Sequence, residues 1–119
     1  MLNRLGARVV PGPASRCLRC GRRRWGKRSR RNPYGPVCSA RVRASAARWS
    51  DCSPAQLEKA REALEQGAVV PTRRRNVFRV ISSDGTQVYL TARQACNCPA
   101  GLHSRHCYHR TAVQILTAA

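Results

Sequence analysis

Hydrophobic positions near the middle of the chain repeat with the period of an amphipathic helix. Leu57 is followed by Ala60 and Leu64 at the three- and seven-residue spacings that place side chains on one helical face. Charged residues occupy most of the positions between them, and Gly67 is a residue typical of the end of a helix. The pattern therefore predicts a helix that ends near Gly67.

The residues just before this helix carry a start signal. Ser53 can act as the N-cap, Pro54 suits the first helical position, and Gln56 stands where it would complete a capping box. A second, shorter helix is predicted from residue 39 to about residue 47, because that segment contains good helix formers.

Two stretches farther along have the composition of strands. Residues 77–81 and 87–91 contain β-branched and aromatic side chains, and Asp84-Gly85 between them is a strong hairpin signal. A final helix is predicted from about residue 107, and its apolar side consists of Ala112, Val113, Ile115 and Leu116. The order of strand, strand and helix predicts a ββα unit.

Composition limits what this chain can bury. It has 119 residues, with one Phe and seven Cys. Chains this short of core commonly recruit metal ions or disulfides. The odd cysteine count, and the lack of an N-terminal apolar run like that of a signal peptide, favour metal in a reducing compartment, so a cytoplasmic location is expected. No stretch approaches membrane-spanning length, and no membrane partner is expected.

The C-terminal part of the chain holds the clearest chemical pattern, which is Cys96, Cys98, Cys107 and His109. Three thiolates and one imidazole complete a tetrahedral zinc site. A closed site of this kind leaves no position for an activated water molecule, so the pattern indicates a structural zinc ion rather than a zinc enzyme.

Two further histidines lie in the loop between these ligands. His103 and His106 are candidate ligands by residue type, but the four residues around them already complete a set. Both are therefore expected to be exposed loop residues. An iron–sulfur cluster in place of zinc is the minor alternative.

A second cysteine pattern lies near the N-terminus. Cys17 and Cys20 have the spacing of a zinc knuckle, in which two thiolates reach one metal ion across a tight turn. Gly21 follows them and tolerates the positive φ that such a turn requires. Cys38 supplies a third thiolate after a basic loop. The sequence thus predicts a second zinc ion held by these three cysteines.

The fourth ligand of this second site is open. Cys52 is the one unassigned cysteine and is the candidate. However, a helix covering all of residues 39–50 would carry it roughly 18 Å from Cys38. The alternatives are that His103 or His106 supplies the ligand, or that Cys52 is a buried apolar thiol.

Charge is the second strong constraint. The formal net charge is +18, from 23 Lys and Arg against five Asp and Glu, and such a field attracts polyanions. Free use of arginine by a GC-rich genome is the alternative explanation. The candidate nucleic-acid-binding residues are Arg22, Arg23, Arg24, Lys27, Arg28, Arg30, Arg31, Arg73, Arg74 and Arg75. Trp25 and Tyr34 lie in the same basic loop, where they would either stack on bases or form a small core beneath the metal.

These patterns divide the chain into four parts. Residues 1–15 are expected to be a flexible arm, residues 16–50 a zinc-ribbon-like cysteine module with a short helix, residues 53–71 a helix and linker, and residues 72–119 a zinc-pinned ββα unit. The predicted fold class is a small, metal-stabilised α+β protein with two zinc ions.

The C-terminal part resembles a SWIM-type zinc finger, whose pattern is C-x-C-x(n)-C-x-H. The resemblance covers about residues 75–117 and rests on the strand pair, on Cys96-Asn97-Cys98-Pro99-Ala100-Gly101 and on Cys107-Tyr108-His109 before the last helix. Tyr108 departs from the usual basic residue at its position. The resemblance implies zinc binding and an accessory role in DNA or protein interaction, without catalysis.

Residues 16–43 are similar to a small zinc-ribbon-like domain of unknown function in actinobacterial and phage proteins. The similarity rests on Cys17-x2-Cys20-Gly21-Arg22 and on Gly35-Pro36-x-Cys38. It implies only metal ligands at these cysteines, and it suggests a mobile-element or phage origin.

The predicted function is that of a zinc-binding accessory protein. It is expected to bind nucleic acid, DNA rather than RNA, through its arginines and without strong sequence specificity. The alternative is a protein-interaction adaptor on a zinc-stapled scaffold, with an acidic partner. An enzyme and a small-molecule substrate are not expected, because paired carboxylates, a Ser-His-Asp set and a phosphate-binding glycine loop are absent from the sequence.

Overall fold

The computed structural model describes residues 16–23 and 32–119. The predicted N-terminal arm at residues 1–15 lies outside these ranges. So do six residues predicted to contact or stack on nucleic acid, which are Arg24, Trp25, Lys27, Arg28, Arg30 and Arg31.

Within the described residues the chain forms four helices and one three-stranded antiparallel sheet with the strand order β1-β2-β3. In chain order the elements are α1 (Pro36–Ala47), α2 (Pro54–Glu65), β1 (Val69–Pro71), β2 (Phe78–Ile81), β3 (Val88–Thr91), α3 (Pro99–Leu102) and α4 (Tyr108–Ala118). The predicted α+β class is confirmed. The structure adds β1 in a segment predicted as linker and α3 in a segment predicted as loop.

Helix α2 begins as its sequence indicates. Ser53 is the N-cap, and its hydroxyl oxygen accepts a hydrogen bond of 3.2 Å from the backbone N–H of Gln56. The side chain of Gln56 is used differently from the predicted capping box, because its Nε2 donates to the carbonyl oxygen of His106 at 3.3 Å. Gly67 has a φ of 71° just after the helix, which a residue with a side chain rarely adopts.

The β2–β3 hairpin is held by the side chain of Asp84. One carboxylate oxygen accepts from the hydroxyls of Ser82 and Thr86 at 2.6 and 2.7 Å and from the backbone N–H of Thr86 at 3.0 Å. Gly85 has a φ of 74°, so the turn uses the conformational freedom of glycine. The predicted hairpin is therefore present, with strands one residue shorter than expected at their starts.

Strand β1 exists because it pairs with β2. Val69 lies opposite Val80 in the antiparallel register, and both side chains are fully buried. The neighbouring register position pairs Val70 with Arg79, which is exposed. The sheet thus has one face on the core and one toward solvent, as is common for antiparallel sheets.

One hydrophobic core joins the parts of the chain that the sequence divides. Its buried members range from Cys17 and Tyr34 through Leu64 and Val80 to Ile115. Helix α4 packs against α1, α2 and β3. A buried hydrogen bond of 2.9 Å from the hydroxyl of Ser45 to the carbonyl oxygen of Ile115 also connects α1 to α4.

Residues 16–23 and 32–119 contain the helices that can be compared in length with the thickness of a bilayer. None of them combines the length and the apolar character that crossing a membrane requires.

We expect Ser53→Ala to destabilise the fold by about 1 kcal/mol, because the backbone N–H of Gln56 would lose its acceptor. Chemical denaturation of the metal-loaded protein measures this change. Ser53→Asp keeps an acceptor at the N-cap and should remain close to the wild-type stability. Equal losses in the two variants would contradict the capping role.

Candidate metal centres

Cys96, Cys98, Cys107 and His109, called here the four-ligand group, lie together and are buried. One ligand atom from each residue lies within 4.8 Å of all the others. In a tetrahedral zinc site with Zn–S bonds of about 2.3 Å, neighbouring sulfurs are about 3.8 Å apart. The group therefore has both the donor chemistry and nearly the spacing that a zinc ion requires.

Three pieces of backbone position these ligands. Cys96 follows β3 and forms an isolated bridge with Thr91, the last residue of that strand. Cys98 is the N-cap residue of α3, and Cys107 is the N-cap residue of α4. His109 lies in the first turn of α4. The end of the sheet and the starts of two helices thus converge on one point.

The sulfur atoms of this group receive hydrogen bonds from their surroundings. The backbone N–H of Gly101 donates to Cys98 Sγ at 3.3 Å. Thr91 Oγ1 lies 3.2 Å from Cys96 Sγ, at a distance suited to donation by the hydroxyl. Such bonds support the thiolate form, which is the form that binds metal.

The pKa values of Cys96 and Cys107 are shifted in opposite directions. A hydrogen bond from the Cys107 thiol lowers the pKa of Cys96 to about 3 against the effect of burial, with further help from His109, Thr91 and the backbone of Cys98. The same bond to Cys96, together with burial, raises the pKa of Cys107. A divalent cation bound by both sulfurs would displace the proton between them, and both cysteines would then be thiolates.

The imidazole of His109 is oriented by aromatic packing. Its ring centroid lies 4.1 Å from that of Tyr108 and 5.0 Å from that of Tyr89. Nδ1 lies 3.8 Å from Cys96 Sγ, whereas Nε2 is buried and has no hydrogen-bond partner among the described residues. Nδ1 is therefore the nitrogen placed to bind a metal ion with the sulfurs.

Tyr108 packs between the four-ligand group and helix α2. Its ring packs on His109, and the ammonium of Lys59 from α2 lies 5.8 Å from the ring centroid. The ring of Tyr108 therefore lies within the distance of a cation–π contact with Lys59.

Gly101 lets α3 approach the ligands closely. A Cβ atom at this position would collide with the carbonyl group of Cys96, whose carbon would lie 2.7 Å away. Because the backbone N–H of Gly101 also bonds Cys98, any larger residue would push apart two of the four ligands.

Cys17, Cys20 and Cys38, called here the three-cysteine group, form a second cluster. Their sulfurs lie within 4.8 Å of one another. Cys17 and Cys20 are on a turn that ends at Gly21, where φ is 76°, as the knuckle pattern predicts. Cys38 lies in the first turn of α1, whose N-terminus favours a thiolate.

The Cys17 sulfur is surrounded by backbone N–H groups. Burial raises the pKa of Cys17, but hydrogen bonds from the backbones of Cys20, Gly35 and Arg19 and from the Cys20 side chain outweigh it, and the pKa falls to about 7. Donation by several amides to one sulfur is the arrangement expected of a metal-binding knuckle.

Arg19 supports the Cys38 sulfur. Its Nη1 donates to Cys38 Sγ at 3.3 Å, and its Nη2 donates to the main-chain oxygen of Ala119. Burial raises the pKa of Cys38, and Arg19 opposes that effect. The sequence assigned Arg19 no role, since nothing in its spacing indicates a contact with the far end of the chain.

The structure does not bring Cys52, the predicted fourth ligand, into the three-cysteine group. Helix α1 runs without a break from Pro36 to Ala47 and carries the chain away from Cys38, at about 1.5 Å per residue. Cys52 lies in the segment that connects α1 to α2, and its side chain is half-buried. It belongs to neither cluster.

The two loop histidines also lie outside both groups. His103 is exposed, as predicted. His106 is partly buried, and its Nε2 lies 2.7 Å from the hydroxyl of the buried Thr111. Burial and the charge of Arg110 lower the pKa of His106, with Asp51 acting in the opposite direction.

The predicted nucleic-acid-binding residues within the described part of the chain are exposed. They comprise Arg22, Arg23, Arg73, Arg74 and Arg75. Tyr34 is only 4% exposed and belongs to the core, which agrees with the core role, one of its two predicted alternatives.

Comparison of the chain with protein family models, with curated proteins and with solved structures gives no match.

We expect Gly101→Ala to weaken zinc binding at the four-ligand group and to destabilise the fold by about 1–3 kcal/mol, the usual cost of overpacking. Gly35→Ala is the matched control, because a Cβ there meets no atom within 4 Å. Gly35 is an N-cap residue, so the control should lose no more than about 1 kcal/mol. A zinc competition titration and thermal unfolding would measure both. A Gly101→Ala protein with wild-type affinity would contradict the close approach.

We expect His109→Ala to remove one zinc ion per chain and to abolish the cooperative packing of α4. Metal binding and folding are coupled in sites of this type, and α4 supplies buried core residues. Native mass spectrometry counts the ions, and NMR dispersion reports packing. His103→Ala, which changes an exposed histidine outside the group, should retain both ions. Loss of an ion from His103→Ala would overturn the assignment.

Proposed function

We propose that this protein is a zinc-binding accessory protein that binds nucleic acid, DNA rather than RNA, without strong sequence specificity. Zinc would be held at both cysteine groups, because thiolate and imidazole donors in a reducing compartment favour it. The proposal includes the SWIM-type character of the C-terminal part, which implies an accessory role.

The observation that carries this proposal is the turn between β1 and β2. It presents three consecutive exposed arginines, Arg73, Arg74 and Arg75, from an ordered backbone. The hydroxyl of Thr72 donates to the carbonyl oxygen of Val77 at 2.7 Å and accepts from the backbone N–H of Arg74 at 3.2 Å. The main chain of the turn is therefore fixed while its guanidinium groups face solvent, an arrangement that lowers the entropy cost of binding.

A second basic segment lies near this turn. The cysteine knuckle is flanked by Arg16, Arg22 and Arg23, and an isolated bridge pairs Arg16 with Arg23. Leu18 and Arg19 of the knuckle line a cavity of about 360 Å³ together with Asn76 of the β1–β2 turn. The two arginine-bearing segments are thus neighbours on the surface, and together they would follow a phosphate backbone.

The chemistry of these side chains suits phosphate more than base edges. Guanidinium groups form paired hydrogen bonds with phosphate oxygens, and contacts of this kind fix position without reading sequence. Neutralising about ten phosphates of duplex DNA would give a slope of log affinity against log salt near −9.

A non-catalytic role is part of the proposal. All five carboxylates of the chain, Asp51, Glu58, Glu62, Glu65 and Asp84, are exposed. General acid–base catalysis uses carboxyl groups whose pKa values are tuned by burial or close pairing, and these acids lie in neither environment.

We expect replacement of Arg73, Arg74 and Arg75 together by alanine to make the salt dependence of duplex DNA binding less steep by about 2.7, because three phosphate contacts are lost. Fluorescence anisotropy at several salt concentrations measures the slope. The loss should be the same for unrelated DNA sequences, since phosphate contacts carry no sequence information.

The matched control replaces the same three residues by lysine. It keeps the charge and should keep the wild-type slope, although the affinity falls where paired guanidinium contacts are lost. Both variants should retain two zinc ions, since these arginines belong to neither cysteine group. Binding by the wild-type protein that hardly changes between low and moderate salt would refute the proposed function.

A further inference from the structure

The three-cysteine group differs from the four-ligand group in the number of donors that the chain can offer. Zinc in proteins is almost always four-coordinate. The structure gathers three sulfurs at this group, and no further Cys, His, Asp or Glu of the described residues has a ligand atom within 4.8 Å of all three.

No other Cys, His, Asp or Glu side chain of the described residues joins these three sulfurs as a fourth donor. Residues 1–15 and 24–31 contain no Cys, His, Asp or Glu, so every such side chain lies in the described ranges. Of the seven cysteines, three are here, three are in the four-ligand group, and Cys52 is in neither. His106 is engaged with Thr111, and His103 is exposed on the loop of the other group.

The three sulfurs are not equally accessible. Cys17 and Cys38 are only 2% and 7% exposed, whereas Cys20 is exposed to solvent. Backbone amides face the Cys17 sulfur, and Arg19 contacts the Cys38 sulfur. Protein groups therefore cover two sulfurs of the cluster, and the side at Cys20 is open to water.

From this geometry we infer that the three-cysteine group is an open zinc site, whose fourth position is taken by a solvent molecule that a small thiol can displace. Zinc with three thiolates and water is a coordination set that exchanges its fourth ligand, in contrast to a closed structural site. Thiolate is the preferred incoming donor, because zinc binds sulfur strongly. Arg19 offsets one negative charge beside the metal.

This inference rests on the zinc occupancy in the proposed function and not on nucleic-acid binding. Its chemical consequence is a site that responds to small cellular thiols. Binding of a thiolate forms one metal–sulfur bond and releases the water molecule and the thiol proton to solvent, with no change of oxidation state.

The test uses the full chain loaded with two ¹¹³Cd ions, because each cadmium gives its own NMR signal and that signal moves downfield as sulfur ligands are added. We expect two signals in a thiol-free buffer. Titration with 2-mercaptoethanol should shift one signal downfield and leave the other, from the buried four-ligand group, in place. The Cys20→Ser variant should alter only the shifting signal and thereby assign it.

The Cys52→Ser variant is the decisive control. It should give the wild-type signals and the wild-type response to thiol, because Cys52 lies outside the group. If Cys52→Ser moves the assigned signal, the chain closes the site itself and the inference is wrong. It is equally wrong if the added thiol shifts neither signal, or if the assigned signal changes with protein concentration, which would indicate a donor from a second copy.

A single cadmium signal would refute both this inference and the second zinc ion of the proposed function. Nucleic-acid binding would then still be decided by the substitutions at Arg73, Arg74 and Arg75, which lie outside both cysteine groups. The two failures are therefore distinguishable.

Discussion

The first turn of α4 is where the ligand chemistry of this chain and its packing meet. Cys107 and His109 lie there and face Cys96, and the following turns bury Val113 and Ile115 completely. Because α4 packs against α1, α2 and β3, the direction in which its first turn is held determines where those elements can lie. A metal ion bound by these four residues would orient α4 and so compensate for a core with few large side chains, as is common in small metal-binding domains.

Side chains that bond to main-chain groups reinforce this arrangement. Ser45 of α1 bonds the carbonyl oxygen of Ile115, Arg19 of the knuckle bonds that of Ala119, and Gln56 of α2 bonds that of His106. Each such bond has a modest net contribution, about 1 kcal/mol, but all three connect separate segments to α4 or to the loop before it. They link segments that the sequence presents as separate modules into one core.

The parts of the structure that depend on local chemistry were predictable from the sequence. The start of α2 follows from Ser53 and Pro54, and the β2–β3 turn follows from Asp84-Gly85. The four-ligand group follows from residue type and spacing, since few other arrangements satisfy three cysteines and a histidine.

The parts that depend on distant partners were not predictable. β1 has only three residues and includes Pro71, so no periodicity marks it, and it is a strand because β2 pairs with it. The separation of Cys52 from the three-cysteine group depends on where α1 ends. Helix propensity alone does not locate that end to within a few residues. Arg19 carries no pattern, since its partner Ala119 is 100 residues away.

The arginines of this chain lie in two distinct environments. Arg19 lies against a cysteine sulfur and supports the negative charge that a thiolate site carries. Arg73, Arg74 and Arg75 lie on a turn whose main chain is fixed by Thr72, and they belong to neither cysteine group. A cation that contacts a cysteine sulfur is held in place by the protein, whereas an exposed cation on a fixed turn stays hydrated and available to an anion. The net charge of +18 does not distinguish these two environments, whereas the contacts of the individual guanidinium groups do.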